Sequence, residues 1–457
     1  MRRMQPGLLR LFPIFILVLP IVFLIQVFVF RPYFGNMDDS NLLILAANND
    51  PISYSHIYGW RPGYGFINNT SMVITWPVYA LGSAFGPAVF FTANAVLSFL
   101  LILFAAYALA KVLDICTLVT ILTFTSTAFL WPYTADLLFF PSLQEKGVIL
   151  GVSLLFLWIH FTRVKRSSFV FWLTFALALL LAFTTKTHIA LFIPAIVAAL
   201  WMVNWGLRTS NSVSRLAGAT VGLLLLSIGT LWLAIDGDYS SGTQGGRDVS
   251  FILDRRFQFL VTLAAAYSAY LVYRSVRREF RAIELVPLLT VLPFIASFSV
   301  WEVRNYYLTV VSIGVASMAA VIVANFKSRY VGLLAALICL AAAVSWIVWR
   351  VPLIYQPLAS VQDFLVSTEG QFLGRQKAVV GVTCSEAPTH FNRYTVSKGN
   401  ADLEFKWTAN RPEDFEFVLG DNRLCPFNPD PALWELKWES AARSGGYLLY
   451  QNRSLMD

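Results

Sequence analysis

Residues 11–30 read LFPIFILVLPIVFLIQVFVF, twenty positions without a charged side chain. A helix of this length crosses the hydrocarbon core of a bilayer. The run is too long for the apolar region of a signal peptide, and no small-residue cleavage site precedes the polar loop that follows. We therefore expect a first membrane span here that the mature chain keeps.

The composition of the whole chain is that of a membrane protein. It is 57% hydrophobic and 13% charged, its mean hydropathy is +0.63, and apolar runs of about 17–25 residues recur along it. We predict a polytopic α-helical membrane protein with about eleven transmembrane helices. The predicted spans are 11–30, 88–110, 115–132, 147–162, 168–184, 189–205, 217–235, 257–273, 284–300, 305–324 and 331–349.

Residues 72–86 are apolar as well, but Pro77, Gly82 and Gly86 interrupt them. Proline and glycine disfavour a helix interior. We interpret the segment as interfacial or re-entrant, leading into the second span, and an extra short span is the alternative. The choice between them affects the topology, so it needs an independent criterion.

The basic residues supply that criterion. With a cytoplasmic N-terminus and about eleven spans, the cytoplasmic loops collect most of them, in agreement with the positive-inside rule. These are Arg2, Arg3, Arg10, Lys111, Arg163, Lys165, Arg166, Arg208, Arg215, Arg274, Arg277, Arg278, Arg281, Lys327 and Arg329. The net charge of +8 then reflects membrane topology, and no nucleic-acid partner is expected.

The composition changes after Arg350. Residues 351–457 mix polar and apolar positions, with turn-forming stretches between short strand-like runs at 378–383, 415–419 and 446–450. We predict a small extracytoplasmic α/β domain there, following a transmembrane catalytic module at 1–350.

The chain has four cysteines, and two of them lie in that predicted domain. Cys384 and Cys425 fall in a compartment that permits oxidation, so we predict a disulfide between them, with two free buried thiols as the alternative. Cys116 and Cys339 are predicted to lie within apolar spans. No metal-binding spacing is present among the cysteines.

An acidic pair opens the first outer loop, which we place at about residues 31–87. It lies in RPYFGNMDDSN, residues 31–41, as Asp38 and Asp39. Adjacent carboxylates repel each other, which can raise the pKa of one and make it a base, or they can share a cation. A divalent cation is therefore the one cofactor to consider. The alternative is a polar cap for a helix starting near Leu42.

Other ionisable residues are predicted on the same side of the membrane, at the ends of apolar helices, where such residues are often functional. The candidates for substrate binding are Arg61, Asp136, Glu145, Lys146, Lys186, His188, Arg304 and Tyr306.

Most of these candidates have a structural alternative. Lys186 can be a snorkelling flank residue, and Arg304 with Tyr306 can belong to the interfacial aromatic belt. His188 can be purely structural, and Glu145 with Lys146 can form a local surface pair. A functional role for the set is favoured because acidic and basic residues from several loops are predicted on the same side of the membrane.

These features resemble the glycosyltransferase-C superfamily, multi-span enzymes that move a sugar from a polyprenyl-phosphate carrier to an acceptor outside the cytoplasm. The resemblance rests on the single span before Asp38-Asp39, on Gly63-Tyr-Gly-Phe-Ile-Asn-Asn69, and on Trp76-Pro-Val-Tyr79. Thr185-Lys-Thr-His188 is similar to the Thr-Lys motif of mannosyl- and aminoarabinosyl-transferases. Arg304 to Tyr307 resembles their Arg-Tyr element but has Asn305 inserted and no following proline. The resemblance covers residues 1–350 and is specific only at the acidic pair.

The resemblance implies roles for the candidates. Asp38 would be the general base that deprotonates the acceptor, with Asp39 positioning the acceptor or tuning its neighbour. Lys186 and Arg304, with Arg61 or His188, would hold the leaving phosphate. The expected partners are a polyprenyl-phosphate sugar, membrane lipid and an extracytoplasmic glycan or lipid acceptor such as lipopolysaccharide O-antigen or a cell-wall glycan. A bacterial inner membrane is the expected location.

Two other classes remain. A transporter or flippase of a lipid-linked sugar should carry ionisable residues mid-span and internal repeats, and neither is visible. An O-antigen polymerase or ligase would use arginines in a large loop between later spans, whereas this chain places acids in the first loop.

Overall fold

A computed structural model describes residues 6–32, 42–43, 46, 70–134, 137–138, 145–164, 173, 175, 187–205, 216–225, 227–228, 249–299, 303, 305–372, 378–383, 403–408, 411–421, 427–439 and 447–455. Ten helices are named here in chain order: α1 Pro6–Phe30, α2 Thr70–Phe85, α3 Pro87–Val112, α4 Leu118–Leu130, α5 Glu145–Val164, α6 Ile193–Asn204, α7 Arg255–Val276, α8 Val286–Ser297, α9 Ser312–Ala324 and α10 Arg329–Phe372. A further apolar helix covers Leu216–Leu225.

Within the described residues, five helical stretches are long and apolar enough to cross a membrane. They are Pro87–Val112, Glu145–Thr162, Arg255–Val276, Tyr307–Ala324 and Arg329–Leu353. Shorter apolar helices, among them α4 and α8, pack between them. The chain is therefore a helical membrane protein, as the composition predicts. The number of spans stays a prediction, since much of 165–186 and 206–248 lies outside the described residues.

Helix α4 shows how a threonine-rich sequence forms a buried membrane helix. Thr117 caps it, and a capping box joins Thr117 to Thr120. Thr123 and Thr125 donate to the carbonyl oxygens four residues earlier, at 2.8 and 2.9 Å. These hydroxyls are thus satisfied without water. Because the cap starts the helix at Leu118, Cys116 lies in the exposed turn before it, and its predicted place within a span is wrong.

Close helix packing depends on small residues. A side chain at Gly314 of α9 would meet Thr290 and Val291 of α8 at 2.3 and 2.6 Å, so only glycine fits there. Gly82 of α2 likewise lies against Phe90 of α3. The segment predicted as interfacial, re-entrant or a short span is this helix α2, 16 residues long with Pro77 inside it and packed against α3.

The C-terminal part of the chain contains a mixed five-stranded sheet with the order β2-β1-β3-β5-β4. The strands are β1 Ala378–Val382, β2 Leu403–Trp407, β3 Phe417–Asp421, β4 Trp434–Glu439 and β5 Tyr447–Asn452. β1 pairs in parallel with β2 and β3, and β5 pairs antiparallel with β3 and β4. The strand-like runs correspond to β1, β3 and β5, whereas β2 and β4 escaped prediction. Before the sheet, α10 continues past residue 350 to Phe372.

The helical bundle has two ends, and one of them leads to the β-sheet. Helix α10 starts beside the end of α9 and the start of α4, where a side chain added at Gly332 would come within 4 Å of Val323 and Val119. It finishes towards the β-sheet. The end of the bundle from which α10 continues towards the β-sheet is called the sheet end. The other end is called the opposite end.

Candidate active site

Two polar side chains of α3 hold the segment that follows α4 at the sheet end. Asn94 donates to the carbonyl oxygens of Leu137 and Leu138, at 3.0 and 2.6 Å, and Ser98 donates to that of Leu137 at 2.9 Å. Both side chains are fully buried. Unpaired backbone carbonyl groups are costly to bury in an apolar bundle, and these side chains supply donors to two of them. The backbone directly after Asp136 is thereby fixed.

The turn after α4 is bonded to the turn before α9. The indole Nε1 of Trp131 donates to the carbonyl oxygen of Leu308 at 2.8 Å. Thr309 Oγ1 donates back to the carbonyl oxygen of Tyr133 at 2.9 Å. These bonds join the short 3-10 helices Pro132–Thr134 and Asn305–Thr309. The ring of Trp131 also stacks on Phe259 of α7, with 5.6 Å between centroids.

An ion pair at the start of α7 contacts the backbone at Val303. Asp254 caps α7 by accepting from the backbone N–H of Arg256, and the Arg256 guanidinium grips the same carboxylate through two Nε contacts of 2.9 Å. Arg256 Nη1 also donates to the carbonyl oxygen of Val303 at 2.8 Å. The guanidinium lies 5.9 Å from the ring centroid of Phe298. The hydrogen bond from Arg256 lowers the pKa of Asp254, so the pair is ionised at neutral pH.

Glu145 and Lys146 begin α5, and both are fully buried. The interpretation of the two as a local surface pair is therefore wrong. A carboxylate in the first turn of a helix is stabilised by the helix dipole. Burial of charged groups inside an apolar bundle is costly, so their presence calls for a structural or functional reason.

Several predicted residues are described only in part. His188 belongs to the 3-10 helix Thr187–Phe192 and Tyr306 to Asn305–Thr309, with no side-chain description for either. Residues outside the described part of the chain are Asp38, Asp39, Arg61, Asp136, Lys186, Arg304, Cys384 and Cys425. Their roles stay predictions. Within the described residues, no group of three or more His, Cys, Asp or Glu side chains could hold a metal ion.

Sequence reasoning missed four of the residues that shape this end. Asn94 and Ser98 are two polar positions four residues apart in an apolar span, which puts them on one helix face. That spacing could have identified them. Asp254 and Arg256 have no comparable signal, and only the structure relates them to Val303.

The architecture is similar to two crystal structures of one protein along nearly the whole chain. ArnT from Cupriavidus metallidurans bound to undecaprenyl phosphate matches with a TM-score of 0.54 and 13% identity, covering 98% of each chain. The chain therefore has the fold of this ArnT. The apo state of the same ArnT gives a TM-score of 0.51 and 11% identity, covering 96% of this chain and 97% of that one.

No family model matches the chain, and no curated protein matches it in sequence. The likeness therefore concerns the fold.

Proposed function

We propose that the protein is an integral membrane glycosyltransferase that moves a hexose or pentose from a polyprenyl-phosphate carrier to an extracytoplasmic glycan or lipid-glycan acceptor. The observation that carries the proposal is the similarity, along 98% of the chain, to an ArnT structure bound to undecaprenyl phosphate. O-antigen, other lipopolysaccharide parts and cell-wall glycan are acceptors of the right chemistry. The proposal includes about eleven spans in a bacterial inner membrane, with the N-terminus in the cytoplasm.

In the proposed reaction, Asp38 removes the proton of the acceptor hydroxyl as that oxygen attacks the anomeric carbon. The bond from this carbon to the phosphate oxygen breaks, and the polyprenyl phosphate leaves with the bonding electrons. Asp39 orients the acceptor or raises the basicity of Asp38 through charge repulsion. A base within reach of the hydroxyl and cations near the leaving phosphate are what this transfer requires.

The leaving phosphate is assigned to Lys186 and Arg304, assisted by Arg61 or His188. Support for Arg304 comes from its neighbours, because the carbonyl groups of Val303 and Leu308 are held by Arg256 and Trp131 on either side of it. Tyr306 lies in the same held segment and is assigned to the donor.

Asp136, Glu145 and Lys146 are assigned to substrate binding near the start of α5. The backbone after Asp136 is held by Asn94 and Ser98. The Glu145 and Lys146 side chains are buried at the first turn of α5. Apolar helix faces would accommodate the polyprenyl tail, which would explain why most of the enzyme is membrane.

The test is sugar transfer by the purified protein in lipid, with a polyprenyl-phosphate sugar and a glycan acceptor. Asp38→Asn keeps the side-chain shape and removes the base, so kcat should fall on the order of 100- to 10,000-fold. Asp39→Asn should also reduce transfer. The matched control is Asp414→Asn, the same change at an exposed position in the turn before β3, which should leave transfer unchanged.

Variants of the phosphate-binding groups separate binding from chemistry. Lys186→Ala and Arg304→Ala should mainly raise the apparent KM for the donor, because they remove contacts to its phosphate. Near-normal transfer by the Asp38→Asn, Asp39→Asn double variant would defeat the mechanism proposed for this site.

A further inference from the structure

At the opposite end of the bundle, an ionic network around the buried Glu284 ties α7 to the segment before α8. Arg274 contacts Glu279 at 3.2 Å and Glu284 at 3.1 Å, and Arg281 contacts Glu284 at 3.1 Å. Glu284 is completely buried, and its backbone carbonyl accepts from the hydroxyl of Tyr267 at 2.8 Å. Both carboxylates of this turn are therefore already paired with Arg274 and Arg281.

Arg277 and Arg278 lie in the same turn and are left without a carboxylate. Both are exposed, and none of the ion pairs among the described residues includes either of them. The Arg277 guanidinium lies 4.9 Å from the ring centroid of Tyr273, which restricts its side chain. Two adjacent cations thus remain at the end of α7, and the guanidinium group suits phosphate oxygens.

The backbone makes an arginine at position 278 unusual. Helix α7 ends in a Schellman arrangement, with the N–H of Glu279 bonded to the carbonyl of Arg274 and the N–H of Arg278 to that of Ser275, both at 2.9 Å. Arg278 has φ of +56°, the left-handed conformation that usually belongs to glycine at this position. An arginine here is less stable than glycine, so its charge is the property that needs an explanation.

The helix just before the two arginines has an apolar surface that no protein segment covers in the described part of the chain. Val272, Tyr273 and Val276 are exposed by 63%, 52% and 79%. They belong to the last turns of the stretch Arg255–Val276, which is long enough to span a membrane. Arg277 and Arg278 directly follow that stretch, so they lie at the depth of the lipid headgroups.

We propose that Arg277 and Arg278 bind the phosphate of an anionic phospholipid of the phosphatidylglycerol type. Its acyl chains would lie on Val272 and Val276, with Tyr273 at the interface. A lipid fits better than a soluble phosphate because the apolar surface and the charges are continuous on one helix end. Anionic headgroups attract such arginines with about 1 kcal/mol each. The site lies at the end opposite the proposed chemistry, so it does not depend on the proposed function.

The experiment titrates the full-length protein in neutral detergent with phosphatidylglycerol or with phosphatidylcholine of the same acyl chains, read by native mass spectrometry. The wild type should bind the first phosphatidylglycerol at least about tenfold more tightly than phosphatidylcholine. Arg277→Gln with Arg278→Gly should abolish this preference. Equal binding of the two lipids by the wild type would overturn the proposal, as would a preference that survives in the variant.

The Arg278→Gly change separates the lipid effect from folding. Glycine adopts the left-handed conformation without strain, so the melting temperature of this variant in neutral detergent should equal or exceed that of the wild type. Phosphatidylglycerol should raise the melting temperature of the wild type, and this rise should disappear in the variant. The charge-matched control, Arg411→Gln with Arg453→Gln in the C-terminal sheet region, should keep the preference. Glycerol 3-phosphate should not displace the bound lipid, and displacement would instead identify a soluble-phosphate site and overturn the proposal.

Discussion

The indole nitrogen of Trp131 is hydrogen-bonded to the carbonyl oxygen of Leu308, 177 residues further along the chain. With the reverse bond from Thr309 to Tyr133, it makes the turns after α4 and before α9 one rigid unit. Two loops that the sequence assigns to substrate binding, the one with Asp136 and the one with Arg304, are each adjacent to this unit. Two side-chain hydrogen bonds in an apolar setting thus join the described residues that flank these loops in the sequence.

The first prediction removes the Trp131 donor. Trp131→Phe keeps an aromatic ring that can stack on Phe259 but leaves the buried carbonyl of Leu308 without its partner, which should lower stability by about 1–3 kcal/mol. Thermal unfolding of the purified protein measures this as a lower melting temperature. The control is Trp349→Phe, at a position that is 58% exposed, where little change is expected. Equal melting temperatures for the two variants would contradict the role assigned to this bond.

The second prediction concerns Arg256 and Asp254. Arg256→Lys cannot grip the Asp254 carboxylate and the Val303 carbonyl together, so the segment that contains Arg304 should loosen. The apparent KM for the polyprenyl-phosphate donor should rise roughly tenfold, equivalent to about 1.4 kcal/mol, with a smaller change in kcat. Asp254→Asn should act in the same direction. A double-mutant cycle measures their coupling, and additive effects would show that the pair does not act as a unit.

The pH dependence of this pair follows from the direction of the pKa shift. Hydrogen bonding to Arg256 lowers the pKa of Asp254 in the folded protein. A carboxylate with a lowered pKa contributes stability above its unfolded pKa, and the contribution is lost as pH falls through the folded pKa. The ratio of wild-type to Asp254→Asn transfer rates should therefore be constant between about pH 5 and 8. A ratio that changes within that range would contradict an ionised pair.

Hydrophobic runs predicted most of the helices well, because a long apolar segment in a membrane must satisfy its own backbone hydrogen bonds and therefore forms a helix. Long apolar stretches such as Pro87–Val112 and Arg329–Leu353 lie where the sequence places them. The strands β2 and β4 escaped prediction because LEFKW and WELKWE mix charges with aromatic residues. Strand β2 pairs with β1, and β4 pairs with β5. The pattern of a single sequence does not indicate which strands pair with each other.

For the candidate site, the sequence indicates which residues to consider but not the contacts that organise the helix ends around them. Ionisable residues at helix ends are visible in a sequence because the apolar runs frame them. The contacts that organise those ends are between side chains and distant carbonyl groups, such as Asn94 with Leu138 and Arg256 with Val303. Backbone carbonyl acceptors have no sequence signature, so only the fold identifies them.

The third prediction is a disulfide between Cys384 and Cys425. The strands β1 and β3 are parallel neighbours, with Val382 opposite Leu419, so their carboxyl ends meet at one edge of the sheet. Cys384 follows the end of β1 by two residues and Cys425 follows the end of β3 by four. Mass spectrometry of the unreduced protein should find the two joined. Detection of both as free thiols would refute the pairing.

The last prediction is the orientation of the chain in the membrane. We expect the sheet end, with residues after about 351, outside the cytoplasm and the opposite end inside, because the predicted cytoplasmic loops collect the arginines. A cysteine introduced by Ser397→Cys should react with a membrane-impermeant maleimide in cells whose outer membrane is permeabilised and whose cytoplasmic membrane is intact. Native Cys116 is an internal control, since it is exposed in the turn before α4 at the opposite end. Peptide mapping resolves the two cysteines, and Cys116 should react only after the cytoplasmic membrane is permeabilised. The reverse pattern, with Cys116 labelled first, would invert the topology and move the proposed active site to the cytoplasmic face.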